Sequence, residues 1–368
     1  MEEKSTFRTD QIMAIIQPFI VPVLAIFTSV IVGSIFLLAY GFNPIDAYSG
    51  LLDGAFGSNR RIAKTILNTI PYIFGGLAVA FAFKGGLFNI GAQGQLFMGA
   101  ISAAYVGFVF EGLPFIIHMP LAVLAGALGG AFWGAIPGFL KAYTGAHEVI
   151  TTIMFNYIAL SFVGYLVSGP LKLEGSVIAK TPEIADAAKL PFFGTGELGL
   201  HYGIPLAILV AFIIYWLIWK TPFGFELRTV GLNPSAASYS GISVKRVTIF
   251  TMAISGLLAG LAGTVDTLGL IHHFEPSFNL GYGFDSITIA LLAKNHPLGV
   301  ILTSFLFGAM SAGSTRMQRA SGVPSEIIQV VQALILMFVA AEQLIRIMYR
   351  LRSQEGEGLQ LSSGWGAG

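Results

Sequence analysis

Uncharged stretches of membrane length follow one another along almost the whole chain, and this restricts the fold more than any other feature. Nine of them contain no Asp, Glu, Lys or Arg: residues 11–45, 65–83, 85–110, 112–140, 149–171, 198–219, 247–265, 295–315 and 327–341. A helix rises about 1.5 Å per residue, so about 20 residues cross a hydrocarbon core. Most of the stretches meet that length outright. The last reaches it by placing Glu326 and Glu342 near the interfaces. Inside lipid every backbone polar group must be satisfied internally, which favours helices for segments like these. The predicted fold is all-α, a polytopic helical membrane protein with about ten transmembrane segments.

The tenth segment is 276–293. Pro276 opens it, Asp285 interrupts it, and it either crosses as a short helix or re-enters from one side. Ten crossings keep the Arg346, Arg350 and Arg352 cluster inside and put both termini in the cytoplasm, as the positive-inside rule favours. Arg60, Arg61 and Lys64 then fall outside, against that rule. The expected layout is a cytoplasmic N-terminus over 1–17, a membrane domain over 18–348 and a disordered tail over 349–368. An outer loop covers about 169–203 and a cytoplasmic loop about 220–247. Ile45, Tyr48, Leu52 and Phe56 recur at helical spacing and predict a short amphipathic surface helix.

Composition narrows the function. Charged residues make up 11% of the 368 and hydrophobic residues 55%, which excludes a soluble enzyme or a disordered chain. A net charge of +1 with no basic face excludes nucleic acid as a partner. There is no cysteine, so disulfides, thiolate metal sites and cysteine nucleophiles are excluded. No G-x-x-x-x-G-K-[ST] sequence is present, so ATP is not bound by that route. Gly194–Gly199 matches G-x-G-x-x-G without a βαβ context and reads as a turn. Adjacent His272 and His273 diverge on a helix and do not make a zinc pair. Ala309–Gly313 loosely resembles a nucleophile elbow, but Ser311 has no evident base. Gly126, Gly130, Gly134 and Gly138 put four glycines on one helix face, and Gly256 and Gly260 repeat the spacing, as close helix packing requires.

Three polar segments stand out. In Gly85–Gly99, Asn89, Gln93 and Gln95 lie among glycines at the start of a span, where amides must face the bundle interior or a water-filled path. In the second, Glu148, Thr152 and Asn156 fall at i, i+4 and i+8, a stripe that either lines a conduit or joins helices. In the third, Asn233 is a good N-cap, Pro234 a good first helical residue and Gly241 a good terminator, framing a two-turn helix between spans.

Taken in order, these segments resemble the permease subunits of ATP-binding-cassette importers of the simple-sugar and nucleoside branch. The closest resemblance is to the larger permease of bacterial nucleoside importers served by basic-membrane-type lipoproteins. GLFNIGAQGQLFMGA (86–100), EVITTIMFNYIA (148–159), RTVGLNPSAASYSGI (228–242), SGLLAGLAG (255–263) and GYGFDSITIALLAKNHPLG (281–299) carry it. The resemblance implies a second, non-identical permease, a separate ATPase subunit that binds ATP, an extracytoplasmic solute-binding lipoprotein and a nucleoside substrate. It implies no cofactor in this chain, surrounding membrane lipid, and a multi-pass location in the bacterial cytoplasmic membrane. It also makes 231–241 the coupling helix, with Gly231, Asn233, Pro234, Ala236, Ala237 and Gly241 as its candidate residues. Amides and hydroxyls suit a polar solute that must pass without being trapped. The candidate pathway residues are therefore Asn89, Gln93, Gln95, Glu148, Thr152, Asn156 and Asp285. A simple-sugar permease is the alternative, ahead of a secondary transporter or an intramembrane enzyme.

Overall fold

A computed structural model describes residues 2–193, 199–277, 281–324 and 326–350. The helices are α1 (Glu2–Ala39), α2 (Pro44–Phe56), α3 (Asn59–Lys84), α4 (Ala92–Val109), α5 (Phe115–Thr144), α6 (Glu148–Ser168), α7 (Gly203–Lys220), α8 (Pro222–Leu232), α9 (Pro234–Tyr239), α10 (Val244–Asp266), α11 (Tyr282–Leu292), α12 (Pro297–Ser321), α13 (Glu326–Ala340) and α14 (Glu342–Met348). Strand among the described residues is limited to the antiparallel pair β1 (Phe192–Phe193) and β2 (Leu200–His201). Among the described residues seven helices are long and apolar enough to cross a membrane: α1 over Ile20–Ala39, α3, α5, α6, α7, α10 with its π-helical extension to Ile271, and α12. The 18-residue α4 carries Gln93 and Gln95 in its first turn, and α11 and α13 are shorter apolar helices. Together these ten correspond to the ten predicted segments. The N-terminal segment is helical from Glu2. The Gly194–Gly199 turn falls largely outside the described residues, as does the tail beyond residue 350.

The chain forms two compact units, a central one over Ala55–Ala312 and a terminal one from residues up to Gly54 and from Gly313 onward. In the central unit, equally apolar helices take different places. The spanning windows of α3 and α10 are 78% and 72% buried, those of α5, α6 and α7 only 22–28%. The inner helix α10 is held by backbone proximity. A Cβ at Gly130 would overlap the Gly256 carbonyl oxygen, and one at Gly134 would lie 2.6 Å from the Met252 oxygen and 2.9 Å from the Gly256 Cα. Gly99 of α4 meets Gly260 in the same way. The two glycine rows expected to pack are therefore partners in one seam, joining α5, α10 and α4 without intervening side chains.

The α6–α7 connection covers the C-terminal ends of α4 and α10. Ala185 N donates to Gly107 O, Ile184 N to His272 O and Leu190 N to Leu268 O, each at 2.9 Å. His201 is buried there, its Nδ1 accepting from Gly203 N at 3.1 Å and its ring lying against Gly269. Burial, with neighbouring His272 adding to it, pushes the imidazole down from 6.5 to about 4. The unfolded chain therefore binds the proton first as pH falls. The contribution of neutral His201 is complete above about pH 6.5 and is lost toward pH 4, roughly 3 kcal/mol in all. Thermal unfolding in detergent is expected to shift to lower temperature over this window. His201→Asn should flatten that part of the profile, and an unchanged slope would exclude His201 as its source.

Phe274 and His296 lie toward opposite ends of α7. At one end Thr181 N donates to Phe274 O at 3.0 Å, beside the start of α7. At the other, the His296 ring lies 5.3 Å from Trp219, in the last turn of α7. The two ends of α7 are about 25 Å apart by helical rise. The 11-residue α11, which lies between Phe274 and His296 in sequence, spans about 16 Å.

In the terminal unit α1 packs on α13, and Thr28 Oγ1 lies 2.9 Å from Tyr349 Oη. The predicted helix at 45–56 is α2, but its packing face is the small-residue one. Gly50 and Gly54 approach Met317, Arg316 and Gly313, and Asp53 accepts from Arg316 Nε at 3.0 Å. Ile45 and Leu52 are 77% and 57% exposed, as suits a helix lying against lipid, whereas Tyr48 of the same predicted face turns to α1 and donates from Oη to Val30 O at 2.9 Å.

Candidate functional site

The chain leaves α3 at Lys84, turns back through Gly85 and Gly86, and runs non-helically to Gly91 before α4 begins. Backbone without helical hydrogen bonds is tolerated at membrane depth only where protein or water satisfies it. Two of the predicted pathway amides, Asn89 and Asn156, do this. Asn89 Oδ1 accepts from Gly91 N at 2.9 Å, while its Nδ2 donates to Gln95 Oε1 at 2.9 Å and to Ser255 Oγ at 2.8 Å. Ser255 Oγ donates onward to Ala78 O at 2.7 Å. Asn156, reaching from α6, donates from Nδ2 to Ile90 O and accepts Gly94 N at Oδ1, at 2.9 and 2.8 Å. Asn156 thus caps the start of α4 from a different helix, where Gly91 has no side chain to do so.

Gln93 performs the same task for α11. Its Oε1 accepts from Gly281 N at 3.2 Å and Gly283 N at 2.8 Å, at the start of that helix. Gly281 has φ +100°, a conformation for which glycine is suited. Two helices therefore begin inside the unit, and Gln93 joins their first turns. Asn89, Gln93, Gln95 and Asn156 are all buried, and the hydrogen bonds described go to other protein groups.

The remaining pathway candidates separate from this cluster. Thr152 is buried beside Gly91 and returns its hydroxyl to Glu148 O of its own helix at 2.7 Å. Glu148 lies at the α5–α6 corner, paired with Lys141 Nζ at 2.7 Å. The expected stripe thus has three different roles along its length. Asp285 is half-buried on α11, its Oδ2 accepting from Tyr72 Oη at 3.0 Å. Ser311 accepts from Asn68 Nδ2 at 3.3 Å and lies within hydrogen-bond reach of Tyr72. Ser311 sits in the uninterrupted helix α12, so the strand-to-helix turn of a nucleophile elbow is absent at this position. Asn68 and Tyr72 were not singled out by sequence; a lone polar residue in an apolar span has no period to mark it.

The framed helix is α9. Asn233 caps it, its Oδ1 accepting from Ala236 N at 3.0 Å, and Gly241 closes it with φ +82°. Pro234, Ala236 and Gly241 are exposed, Tyr239 is 95% exposed, and Ala237 is the buried anchor. Gly231 plays another part. It lies in the last turn of α8, directly against the Lys84 carbonyl and the Gly86 backbone. Among the described residues no group of three or more His, Asp or Glu is placed to hold a metal ion.

Residues 61–340 match the family described as the branched-chain amino acid transport system / permease component. The chain belongs to this permease family. It is a multi-pass membrane permease component and not an enzyme. It is 43% identical over 342 residues to the guanosine ABC transporter permease protein NupP of Bacillus subtilis (strain 168), covering 91% of this chain and 97% of that one. The nucleoside ABC transporter permease protein NupB of Lactococcus lactis subsp. cremoris (strain MG1363) is 38% identical over 337 residues, 89% of this chain and 92% of its own. The glucose ABC transporter permease protein TsgB13 of Haloferax volcanii is 33% identical over 88% of each chain. The first two organisms each hold a second, more distant relative, NupQ at 29% and NupC at 27% identity, so similar permeases occur there in unequal pairs. No solved structure matches the chain.

Proposed function

We propose that this chain is one of two non-identical permease subunits of an ATP-binding-cassette importer that carries nucleosides across the bacterial cytoplasmic membrane. The observation that carries the reading is similarity at 43% and 38% identity, over nearly full length, to permeases named for guanosine and nucleosides. A simple-sugar solute is the second reading, favoured by the relative named for glucose. The partner ATPase binds ATP and receives α9 at the cytoplasmic face, within the loop at about 220–247. The solute-binding lipoprotein delivers its cargo at the outer face, over about 169–203, and both termini lie in the cytoplasm. ATPase closure displaces α8–α9. Because Gly231 abuts residues 84–86, the movement reaches the non-helical segment that ends in the Asn89–Gln95–Ser255 cluster. That segment and the start of α11 share Gln93, so both internal helix starts shift together and access alternates between faces.

Uptake of radiolabelled uridine, adenosine and ribose in cells with and without the gene tests this. Nucleoside uptake that needs the gene, follows ATP and survives an uncoupler is expected. Gene-dependent uptake of ribose alone would select the sugar reading, and collapse with the ion gradient at high ATP would overturn the importer reading. Separately, Ala236→Trp on the exposed face of α9 is expected to reduce ATPase co-purification about tenfold or more while membrane abundance holds, by steric exclusion at the contact. Unchanged co-purification would remove α9 from the docking surface.

A further inference from the structure

Polar groups in the spanning part of the central unit mostly bury themselves against one another. Asp285, Ser311 and Asn68, on three different helices, are only half-buried. They are linked around the Tyr72 hydroxyl by the bonds from Tyr72 to Asp285 at 3.0 Å and from Asn68 to Ser311 at 3.3 Å. Tyr72 lies near the middle of α3, so the group sits at mid-depth, about 18–20 Å from either helix end. A partly uncovered carboxylate is disfavoured against hydrocarbon at that depth and belongs on a water-filled path.

The group offers a defined chemistry. One Asp285 oxygen is held by Tyr72, and among the described residues the other accepts no hydrogen bond. A carboxylate accepts strongly from hydroxyl donors and offers no donor of its own. Adjacent hydroxyls on a sugar ring are such donors, whereas the bases of nucleosides differ from one another. We propose that Asp285, oriented by Tyr72, is the contact for the vicinal 2′- and 3′-hydroxyls of a ribonucleoside in transit, reading the sugar and not the base. This rests on the nucleoside-import reading above.

The test is maximal uptake by the complete importer of uridine against 2′-deoxyuridine, and of adenosine against 2′-deoxyadenosine, at saturating solute. The solute-binding protein is then loaded in every case, and its own preference cancels between wild type and variant. Asp285→Asn preserves shape and a bond to Tyr72. It is expected to lower the ribo-to-deoxy ratio about fivefold for both bases, at unchanged membrane abundance. Tyr72→Phe, which leaves the carboxylate in place but unoriented, is expected to lower it about twofold, and it decides the matter alone if Asp285→Asn fails to assemble. An unchanged ratio with uridine uptake retained overturns the diol contact and leaves the importer reading standing. Absence of ATP-dependent nucleoside uptake by the wild type overturns both.

Discussion

Gly130→Leu is expected to abolish accumulation of folded protein. The added side chain has no free volume, because what it meets is the backbone of α10 at Gly256 and Gly260. A flexible neighbour could swing aside; a carbonyl in a helix moves only with its helix. Overpacking usually costs about 1–3 kcal/mol, and a backbone-on-backbone seam lies at or above the top of that range. The same seam includes Gly99 on Gly260, so separating α5 from α10 also disturbs α4. Detergent-extracted, monodisperse protein should fall at least about tenfold. Gly164→Leu is the matched control, since a Cβ at Gly164 meets nothing within 4 Å. Equal loss in both variants would show that leucine insertion alone, and not this seam, is the cause.

Asn89→Leu is expected to destabilise by roughly 2–4 kcal/mol, because a single substitution removes partners from the Gly91 amide, the Gln95 amide and the Ser255 hydroxyl together. Hydrogen bonds between membrane helices are individually modest, so the estimate rests on three groups losing partners in one buried place. The thermal midpoint in detergent should fall, and uptake should fall with it. A variant with the wild-type midpoint and no uptake would instead place Asn89 in contact with solute. Asn156→Leu should behave similarly, since it opens both Ile90 O and Gly94 N.

Much of this was legible in the sequence because lipid leaves few alternatives. Charge spacing located nine of the ten segments, and glycine spacing located the seam, since both are strictly local. Asn233, Pro234 and Gly241 announced α9 because helix ends have local chemistry. What local reasoning missed was partnership. Gln93 looked like a pathway amide, yet it caps α11 about 190 residues away in sequence. Glu148, Thr152 and Asn156 share a helical face, yet an ion pair, a bond within the helix and a cap on α4 divide them. Tyr72 and Asn68 gain meaning only once α11 and α12 are laid beside α3.

The contact between Gly86 and Gly231 has a mechanical consequence. Side chains at a joint act as springs, taking up small displacements by changing rotamer before anything downstream moves. Here two backbones meet at about 2.9–3.0 Å from where a Cβ would be, with no rotamer on either side. The joint has no lost motion. Compression of α8 toward α3 must shift the chain at 84–86 by a comparable amount.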